Sequence, residues 1–139
     1  TDEFELLGTL GLLHTEITAA KTSFGDIKSN ELNSAPSKTA SLTGRYYMTS
    51  EWDVSAGVQY VGEYYGDINN SEERLAGDYT LARFNLNYRT DVWRFTAYLN
   101  NAFSKEAFTV VEPASGRYPS GYVAVVEPRT FGATLTYSF

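Results

Sequence analysis

The chain of 139 residues contains no cysteine, so neither a disulfide nor a thiolate metal site can form. Positive charge is scarce, because 11 Lys and Arg stand against 17 Asp and Glu and leave a net charge of -6. The sequence has no basic stripe to release phosphate counterions, so its charge disfavours nucleic acid as a partner. Long apolar runs are missing too, and since a spanning helix needs ~20 such residues, a helical membrane protein is excluded.

Residues that could perform catalysis or hold a metal are equally sparse. His14 is the single histidine, and we expect it to be a rim residue because no partners for a triad or metal site accompany it. The acidic stretch Ser71–Arg74 lacks the EF-hand spacing and is expected to be a solvated loop. Glu51 and Asp91 fall in tight turns and are interpreted as turn chemistry. The sequence therefore predicts no enzyme, no cofactor and no metal site.

What the sequence does contain is a period of two, which is typical of strands. No segment shows a convincing helical period, so the fold is predicted to be all-β and antiparallel, with about six long strands. The strand-forming stretches are FELLGTLGLLH from residue 4, TASLTGRYYM from residue 39, WDVSAGVQY from residue 52, TLARFNLNY from residue 80, WRFTAYLNNAF from residue 93 and TFGATLTYSF from residue 130.

The connections between these stretches alternate in length. TSE and RTD are tight turns, whereas residues near 18–37, 66–76 and 108–126 form long polar loops. Short turns at one end and long loops at the other are typical of bacterial outer-membrane barrels. A soluble sheet with an apolar face on its core is the alternative.

The placement of aromatic and charged residues favours the membrane alternative. Aromatic residues lie beside the short turns, at Trp52, Tyr88, Trp93 and Phe139, and beside the long loops, at Tyr60, Phe103 and Phe131. Two such belts around an apolar band are typical of transmembrane barrels. The alternating polar faces carry Arg45, Arg83 and Arg94, which a dry core could not hold unpaired. These arginines are expected to be hydrated in a watery interior.

The end of the chain resembles the signal by which outer-membrane proteins are recognised by the barrel-assembly machinery. The matching residues are Thr130, Gly132, Leu135, Tyr137 and the terminal Phe139. An unpaired, alternating terminal strand can add to another sheet edge before its own barrel closes. Gly132 is expected to permit a bent and twisted strand.

Larger segments resemble the end of a TonB-dependent outer-membrane receptor. YTLARFNLNYRTDVWRFTAYLNNAFSKEAF and PRTFGATLTYSF are similar to its last strands, and NELNSAPSKTASL to an earlier strand entry. The element at 101–108 departs from the family's NLFDKEY-like pattern at Ala102, Ser104 and Ala107. The resemblance runs from about residue 4 to 139.

This resemblance implies that residues 1–139 are the C-terminal part of a barrel of about 22 strands. The family takes up scarce ligands, most often ferric siderophores, across the outer membrane of Gram-negative bacteria. Implied partners are outer-membrane lipid, the assembly machinery, an upstream plug and upstream strands, and the TonB complex. The plug is an alternative to water as the partner of Arg45, Arg83 and Arg94. Two alternatives remain open: a small self-contained or oligomeric structural outer-membrane barrel, and a soluble lipocalin-like binder.

The loop at 108–126 is the best candidate for ligand contact. Arg117, Tyr118 and Tyr122 offer a cation and aromatic faces suited to anionic, catechol-like or planar ligands. These side chains could equally serve to pack the loop.

Overall fold

In the computed structural model, residues 3–23 and 25–139 are described as antiparallel strands joined by turns and loops. Residues 1–2 and 24 lie outside the described residues. All three belong to the predicted domain 1–139, and residue 24 also belongs to the predicted loop 18–37. The strands in the described part are β1 Phe4–Leu12, β2 Lys21–Thr22, β3 Gly25–Asp26, β4 Lys38–Tyr47, β5 Trp52–Val61, β6 Tyr64–Tyr65, β7 Leu75–Ala76, β8 Tyr79–Arg89, β9 Trp93–Asn100, β10 Phe108–Glu112, β11 Tyr122–Val125 and β12 Thr130–Tyr137. A 3-10 turn at Glu72–Arg74 precedes β7. Within the described ranges, no helix has the length and apolarity that a membrane crossing requires.

The six long strands form one sheet in the order β1-β4-β5-β8-β9-β12. Each of them pairs antiparallel with its neighbour, so the sheet is a meander. The prediction of an all-β, antiparallel fold with six long strands is confirmed. The sheet is not closed, since β1 and β12 each pair on one side.

The pairing register keeps apolar residues opposite apolar residues across the sheet. Leu42 pairs with Val58, for example, and Phe95 pairs with Leu135. A slip by one residue would turn every side chain of a strand to the other face. The period of two in the sequence therefore excludes a slip by one residue, and the short turns set the register of the strands that they join.

Burial in this sheet is the reverse of that in a soluble one. On β5, Asp53 and Ser55 are each 6% exposed. Val54, which lies between them, is 36% exposed, and Val58, further along the strand, is 45% exposed. The polar side chains shield one another on one side, which we call the polar face. The other side, the apolar face, has no layer of protein over it among the described residues. This arrangement is the one predicted for an outward apolar face.

The connections are sorted by length as predicted. Residues 48–51 and 90–92 make short turns at one end, and residues 13–37, 62–78 and 101–129 make long loops at the other. Each long loop also contains a small hairpin that the sequence did not reveal: β2–β3, β6–β7 or β10–β11. We call these the first, second and third loops.

Both short turns are closed by a threonine. The Thr49 hydroxyl accepts hydrogen bonds from the backbone N–H of Glu51 and of Trp52, at 3.1 Å each. The Thr90 hydroxyl accepts one from the Trp93 N–H at 3.0 Å. A hydroxyl that satisfies backbone donors in this way favours the turn over continued extension. The turns consequently hold the tryptophans that follow them at the short-turn end.

Candidate functional site

A network of polar side chains crosses four strands on the polar face near the short turns. Arg45 on β4 lies with its Nε 3.6 Å from Oδ2 of Asp53. The Asn87 side-chain amide donates to that same oxygen at 2.8 Å, and the Thr96 hydroxyl donates to Asn87 Oδ1 at 3.0 Å. The buried Asp53 carboxylate is therefore stabilised by one cation and one amide. Arg45 is thus paired within the sheet.

A second rung lies one step further along the same face. The Asn85 amide donates to the Ser55 hydroxyl at 3.2 Å. Among the described residues, no buried side-chain nitrogen or oxygen is left without a hydrogen-bond partner. The sequence indicated which residues share this face, but not which of them would bond to each other.

The remaining arginines of the polar face behave differently. Arg83 lies flat across Gly57, where an added Cβ would meet its Nε at 3.1 Å. Arg89 and Arg94 sit directly opposite each other in the β8–β9 register. In the described part of the chain, no carboxylate lies within 4.0 Å of any of the three guanidinium groups.

Aromatic rings form a row along the apolar face at the short-turn end. Trp52 and Tyr88 have ring centroids 4.7 Å apart, as do Trp93 and Tyr137, and Phe139 lies 6.3 Å from Tyr137. Aromatic rings in such a row suit the interfacial zone of a bilayer, where one side is apolar and the other wet. This row runs across β5, β8, β9 and β12.

The second and third loops are joined by one arginine. Arg74 Nη1 lies 2.7 Å from Glu112 Oε2, and its Nε lies 3.6 Å from Asp67 Oδ2. All three side chains are largely shielded, at 25%, 17% and 17% exposure. The expectation of a solvated loop at Ser71–Arg74 was therefore wrong for Arg74, although Glu72 and Glu73 are exposed. Its partner lies 38 residues away, and no local pattern announced it.

The first and second loops are joined by amide contacts. Asn70 accepts from the Glu31 N–H at 2.7 Å and donates to the Glu31 carbonyl at 3.0 Å. Asn30 donates to the Ile68 carbonyl at 2.9 Å. Together with the ion pair of Arg74, these bonds connect the three loops to one another at the long-loop end of the sheet.

Asn101 holds the base of the third loop. Its backbone has a φ of 44°, in the left-handed region that asparagine tolerates better than most residues. Its side chain donates to the carbonyls of Lys105 and Glu127 at 2.9 Å each and accepts from the Lys105 N–H at 2.8 Å. The side chain is 5% exposed and fully used. The sequence matched this asparagine to a family motif without indicating its task.

Arg117, Tyr118 and Tyr122 are brought together at the tip of the β10–β11 hairpin. The Arg117 guanidinium carbon lies 5.4 Å from the centre of the Tyr118 ring, and that ring meets Tyr122 edge-on at 5.1 Å. Gly121, with a φ of 62°, makes the bend that allows Tyr122 to return. Arg117 and Tyr122 are exposed. The cluster is thus ordered and open to solvent, which both of its sequence interpretations allow.

A cavity of about 940 Å³ lies beside this hairpin, between the second and third loops. Its walls include Glu63, Gly77, Asn101, Phe108, Val126 and Arg129. Charged side chains of both signs, an aromatic ring and apolar side chains therefore line this space together.

The residues of the predicted assembly signal lie along β12 and just beyond it. Gly132 sits under Tyr98, whose hydroxyl would be 2.5 Å from a Cβ at that position. Leu135 and Tyr137 on the apolar face are 63% and 53% exposed, and Phe139 is fully exposed. The Asn100 amide reaches the Thr130 hydroxyl at 3.5 Å. All five residues therefore belong to one unpaired edge.

The residues set aside in the sequence also have clear positions. His14 is exposed just past the end of β1, at the rim. The Glu51 carboxylate accepts hydrogen bonds from the hydroxyls of Ser50, at 2.8 Å, and Thr49, at 3.0 Å. These bonds lower its pKa. Over the described ranges, no group of three or more His, Cys, Asp or Glu side chains is arranged to hold a metal ion.

The sequence of the chain matches a known protein family. Residues 3–102 match the family described as TonB dependent receptor-like, beta-barrel. The chain belongs to the TonB-dependent receptor β-barrel family, a family of receptors rather than enzymes. Barrels of this family are outer-membrane proteins of Gram-negative bacteria. The membership favours the receptor over the self-contained barrel and the lipocalin-like binder.

Solved receptors share the fold. The ferric preacinetobactin receptor BauA of Acinetobacter baumannii is 20% identical and superposes with a TM-score of 0.77. FpvA of P. aeruginosa, solved with heterologous pyoverdines and iron, is 19% identical with a TM-score of 0.65. Each match covers 100% of this chain and 20% or 18% of the receptor. The chain thus spans about a fifth of the length of the receptors that it matches.

Proposed function

We propose that the chain is the C-terminal part of an outer-membrane receptor that takes up a scarce ligand, a ferric siderophore, with energy supplied through the TonB complex. The observation that carries the proposal is the inverted sheet, with an exposed apolar face and a self-satisfied polar face, in a chain of this family. Such a sheet is stable where lipid covers one side and water or protein the other.

The proposal includes parts that would precede the chain. Six strands are fewer than the ~8 of the smallest usual closed barrel. The edges of β1 and β12 would pair with upstream strands, since lipid offers no hydrogen bonds to a bare edge. A plug inside the barrel and a segment that contacts TonB would complete the receptor, as the family implies.

The iron-bearing ligand is supported by the two similar structures and by the third loop. One of those structures is described as a ferric preacinetobactin receptor and the other holds a pyoverdine–iron complex. In this chain, the exposed Arg117, Tyr118 and Tyr122 cluster offers the cation and rings that an anionic, planar chelate would contact.

Uptake of radioactive iron by cells that carry the full receptor gene tests this function. Strains with and without the gene are supplied with iron bound to catecholate, hydroxamate and mixed chelators, with and without a working TonB complex. We expect uptake of at least one chelate that requires both the receptor and TonB. Equal uptake in all strains for every chelate would refute the proposal.

The ligand-contact loop needs its own comparison. Tyr122→Ala removes an exposed ring, whereas Tyr122→Phe retains it, so the first should weaken chelate binding and the second should not. Ring contacts of this kind contribute about 0.5–1.5 kcal/mol beyond buried area, or up to roughly tenfold in affinity. If chelate binding is unchanged in both Tyr122→Ala and Arg117→Gln, the cluster serves only to pack the loop.

We also propose that Thr130, Gly132, Leu135, Tyr137 and Phe139 serve the barrel-assembly machinery as a recognition strand. Leu135, Tyr137 and Phe139 are exposed, and β12 has one unpaired edge, which is what an assembly factor would need for strand addition. Deletion of Phe139 or Tyr137→Asp should lower the fraction of receptor that reaches the outer membrane, while Tyr122→Ala should not. Normal insertion of both terminal variants would overturn the idea.

A further inference from the structure

We propose that Arg74, in the second loop, is a positioning residue for the cluster of Arg117, Tyr118 and Tyr122 in the third loop. It acts through Glu112, whose carboxylate oxygen Oε2 lies 2.7 Å from Arg74 Nη1. The inference rests on the proposed function, since it extends the proposed ligand site to a residue that does not contact the ligand itself.

Glu112 and Tyr122 are joined by the pairing of the β10–β11 hairpin. Glu112 is the last residue of β10 and lies directly opposite Tyr122, the first residue of β11. Tyr122 in turn supports the cluster, because the Tyr118 ring meets its ring edge-on at 5.1 Å. A side chain that holds Glu112 therefore holds the end of the hairpin from which the cluster extends.

The second loop is bonded to β10 at three places along the hairpin. At the base, the Gly77 N–H donates to the Phe108 carbonyl at 3.0 Å. One residue further, the Tyr64 hydroxyl donates to the Thr109 carbonyl at 2.9 Å, where the register of the hairpin shifts. The ion pair of Arg74 is the third contact and lies nearest the tip. It is consequently the contact that acts on the upper half of the hairpin.

Beyond that ion pair, the tip of the hairpin is bonded only to itself. In the part of the chain that the structure describes, the hydrogen bonds of residues 113–121 join Ser115, Tyr118 and Gly121 to one another. Without Arg74 the hairpin keeps its two lower contacts, and its upper half is free to tilt. An orientation that is competent to bind for only a fraction of the time lowers the apparent affinity by that fraction.

Arg74 reaches the hairpin from a fixed base. Its carbonyl accepts a hydrogen bond from the Gly66 N–H at 2.9 Å, and its Nε lies 3.6 Å from Asp67 Oδ2. The Asp67 carboxylate also accepts from the Ser71 hydroxyl at 2.8 Å and from the Ser71 N–H at 3.0 Å. The side chains of Arg74, Asp67 and Glu112 are largely shielded, so salt screens their attraction less than that of a fully exposed pair.

Two measurements on the full receptor in lipid vesicles test this role. Nitroxide labels on cysteines introduced at Gly116 and Glu72 report the distance between the hairpin tip and the second loop. Both positions are exposed, and a Cβ at Gly116 would meet no atom within 4 Å beyond its chain neighbours. The second measurement is equilibrium binding of ferric tris-catecholate, tris-hydroxamate and mixed complexes.

Both measurements are made on three variants and a matched control. Arg74→Met and Glu112→Gln each remove one partner of the ion pair, and Arg74→Lys retains a cation opposite Glu112. The control is Glu73→Gln, because Glu73 is exposed, precedes Arg74 in the same turn and has no ion pair among the described residues. Heat-modifiable mobility shows that each variant has a folded barrel.

We expect Arg74→Met and Glu112→Gln to broaden the distribution of label distances. Each should also weaken binding of the complex that the native receptor binds best, by about threefold to tenfold. Combining the two changes should weaken binding little more than either alone, since both remove the same contact. Arg74→Lys should restore most of the native distribution and affinity, and Glu73→Gln should change neither.

An unchanged distance distribution in both Arg74→Met and Glu112→Gln would overturn the proposal. A broadened distribution with unchanged affinity would overturn it too, because the ion pair would then brace the loops without positioning the cluster. Failure of the proposed function looks different: a native receptor that binds none of the three complexes refutes the proposed ligand. The label distances then decide by themselves whether Arg74 positions the hairpin.

Discussion

Gly132 and Tyr98 allow a stringent test, because their contact offsets the stabilisation that replacing a strand glycine by alanine usually brings. The Tyr98 ring on β9 lies over Gly132 on β12, where a Cβ would be 2.5 Å from the hydroxyl, 2.7 Å from Cζ and 3.0 Å from Cε1. Ordinary carbon contacts begin near 3.4 Å, so Gly132→Ala must displace the ring. In the Tyr98→Ala background the same methyl group no longer meets these three atoms.

The magnitude follows from two opposing terms. Overpacking a well-packed core costs about 1–3 kcal/mol, and the low end applies here because the atoms that must move are the far end of a ring that is 37% exposed. Replacing glycine by alanine in a strand contributes about 0.4–1 kcal/mol of stability, because the unfolded chain loses freedom. Gly132→Ala should therefore be close to neutral, or destabilise by up to about 0.6 kcal/mol, with Tyr98 present, and should stabilise the receptor by about 0.4–1 kcal/mol without Tyr98. The interaction energy of the double-mutant cycle should be about 1 kcal/mol.

Urea unfolding of the full receptor in lipid vesicles measures the four variants of the cycle. Gly8→Ala on the other edge strand is the matched control, since its Cβ would meet the nearest atom, Leu42 Cδ1, at an ordinary 3.6 Å. We expect that change to be neutral or stabilising in either background. An equal effect of Gly132→Ala with and without Tyr98 would refute the reasoning.

Three further predictions concern the apolar face, the third loop and a short turn. Val58→Arg on the apolar face should cost about 2–4 kcal/mol in unfolding free energy in vesicles, whereas Thr96→Arg on the polar face should be mild, and equal costs would contradict the orientation. Asn101→Ala leaves buried backbone groups without partners at a cost of about 1–3 kcal/mol, so limited proteolysis within residues 101–129 should accelerate. Asn100→Ala is the control and should not accelerate it. Ser50→Ala removes the main cause of the lowered pKa of Glu51, so a carbon-13 titration should show that pKa rising. The pKa of Glu51 is lower in the folded state than in the unfolded state, so its contribution to folding stability is present above the unfolded pKa and is lost as pH falls through the folded pKa. If the pKa of Glu51 does not move in Ser50→Ala, the hydroxyl contacts are not its cause.

The six long strands could be predicted because strand patterning is local. Alternation along each stretch sets its two faces, and tight turns set which residues pair, so Leu42 opposite Val58 follows from the sequence. The burial of Asp53 beside the exposed Val54 follows from the same pattern once the apolar face is taken as outward. Both predictions depend on neighbours in the chain or across one turn.

The contacts of the loops could not be predicted because they join distant residues. Arg74 and Glu112 are 38 positions apart, and Asn70 and Glu31 are 39 positions apart. The polar stretches that carry them have the composition of any solvated loop. Gly132 shows a similar gap: its lack of a side chain suggested a bend, and the structure adds the ring of Tyr98 as a reason for that glycine.

The joined loops also constrain how this protein can change over time. The longer loops of outer-membrane barrels lie on the extracellular side, where they meet other molecules. Here Asn70, which bonds to the backbone of Glu31, and the Arg74–Glu112 ion pair connect the three loops. A substitution of Asn70, Arg74 or Glu112 removes a contact between two loops, so we expect it to be accompanied by a second change in the loop that loses its partner. The exposed Glu72 and Glu73, which have no such partners among the described residues, are free to vary alone.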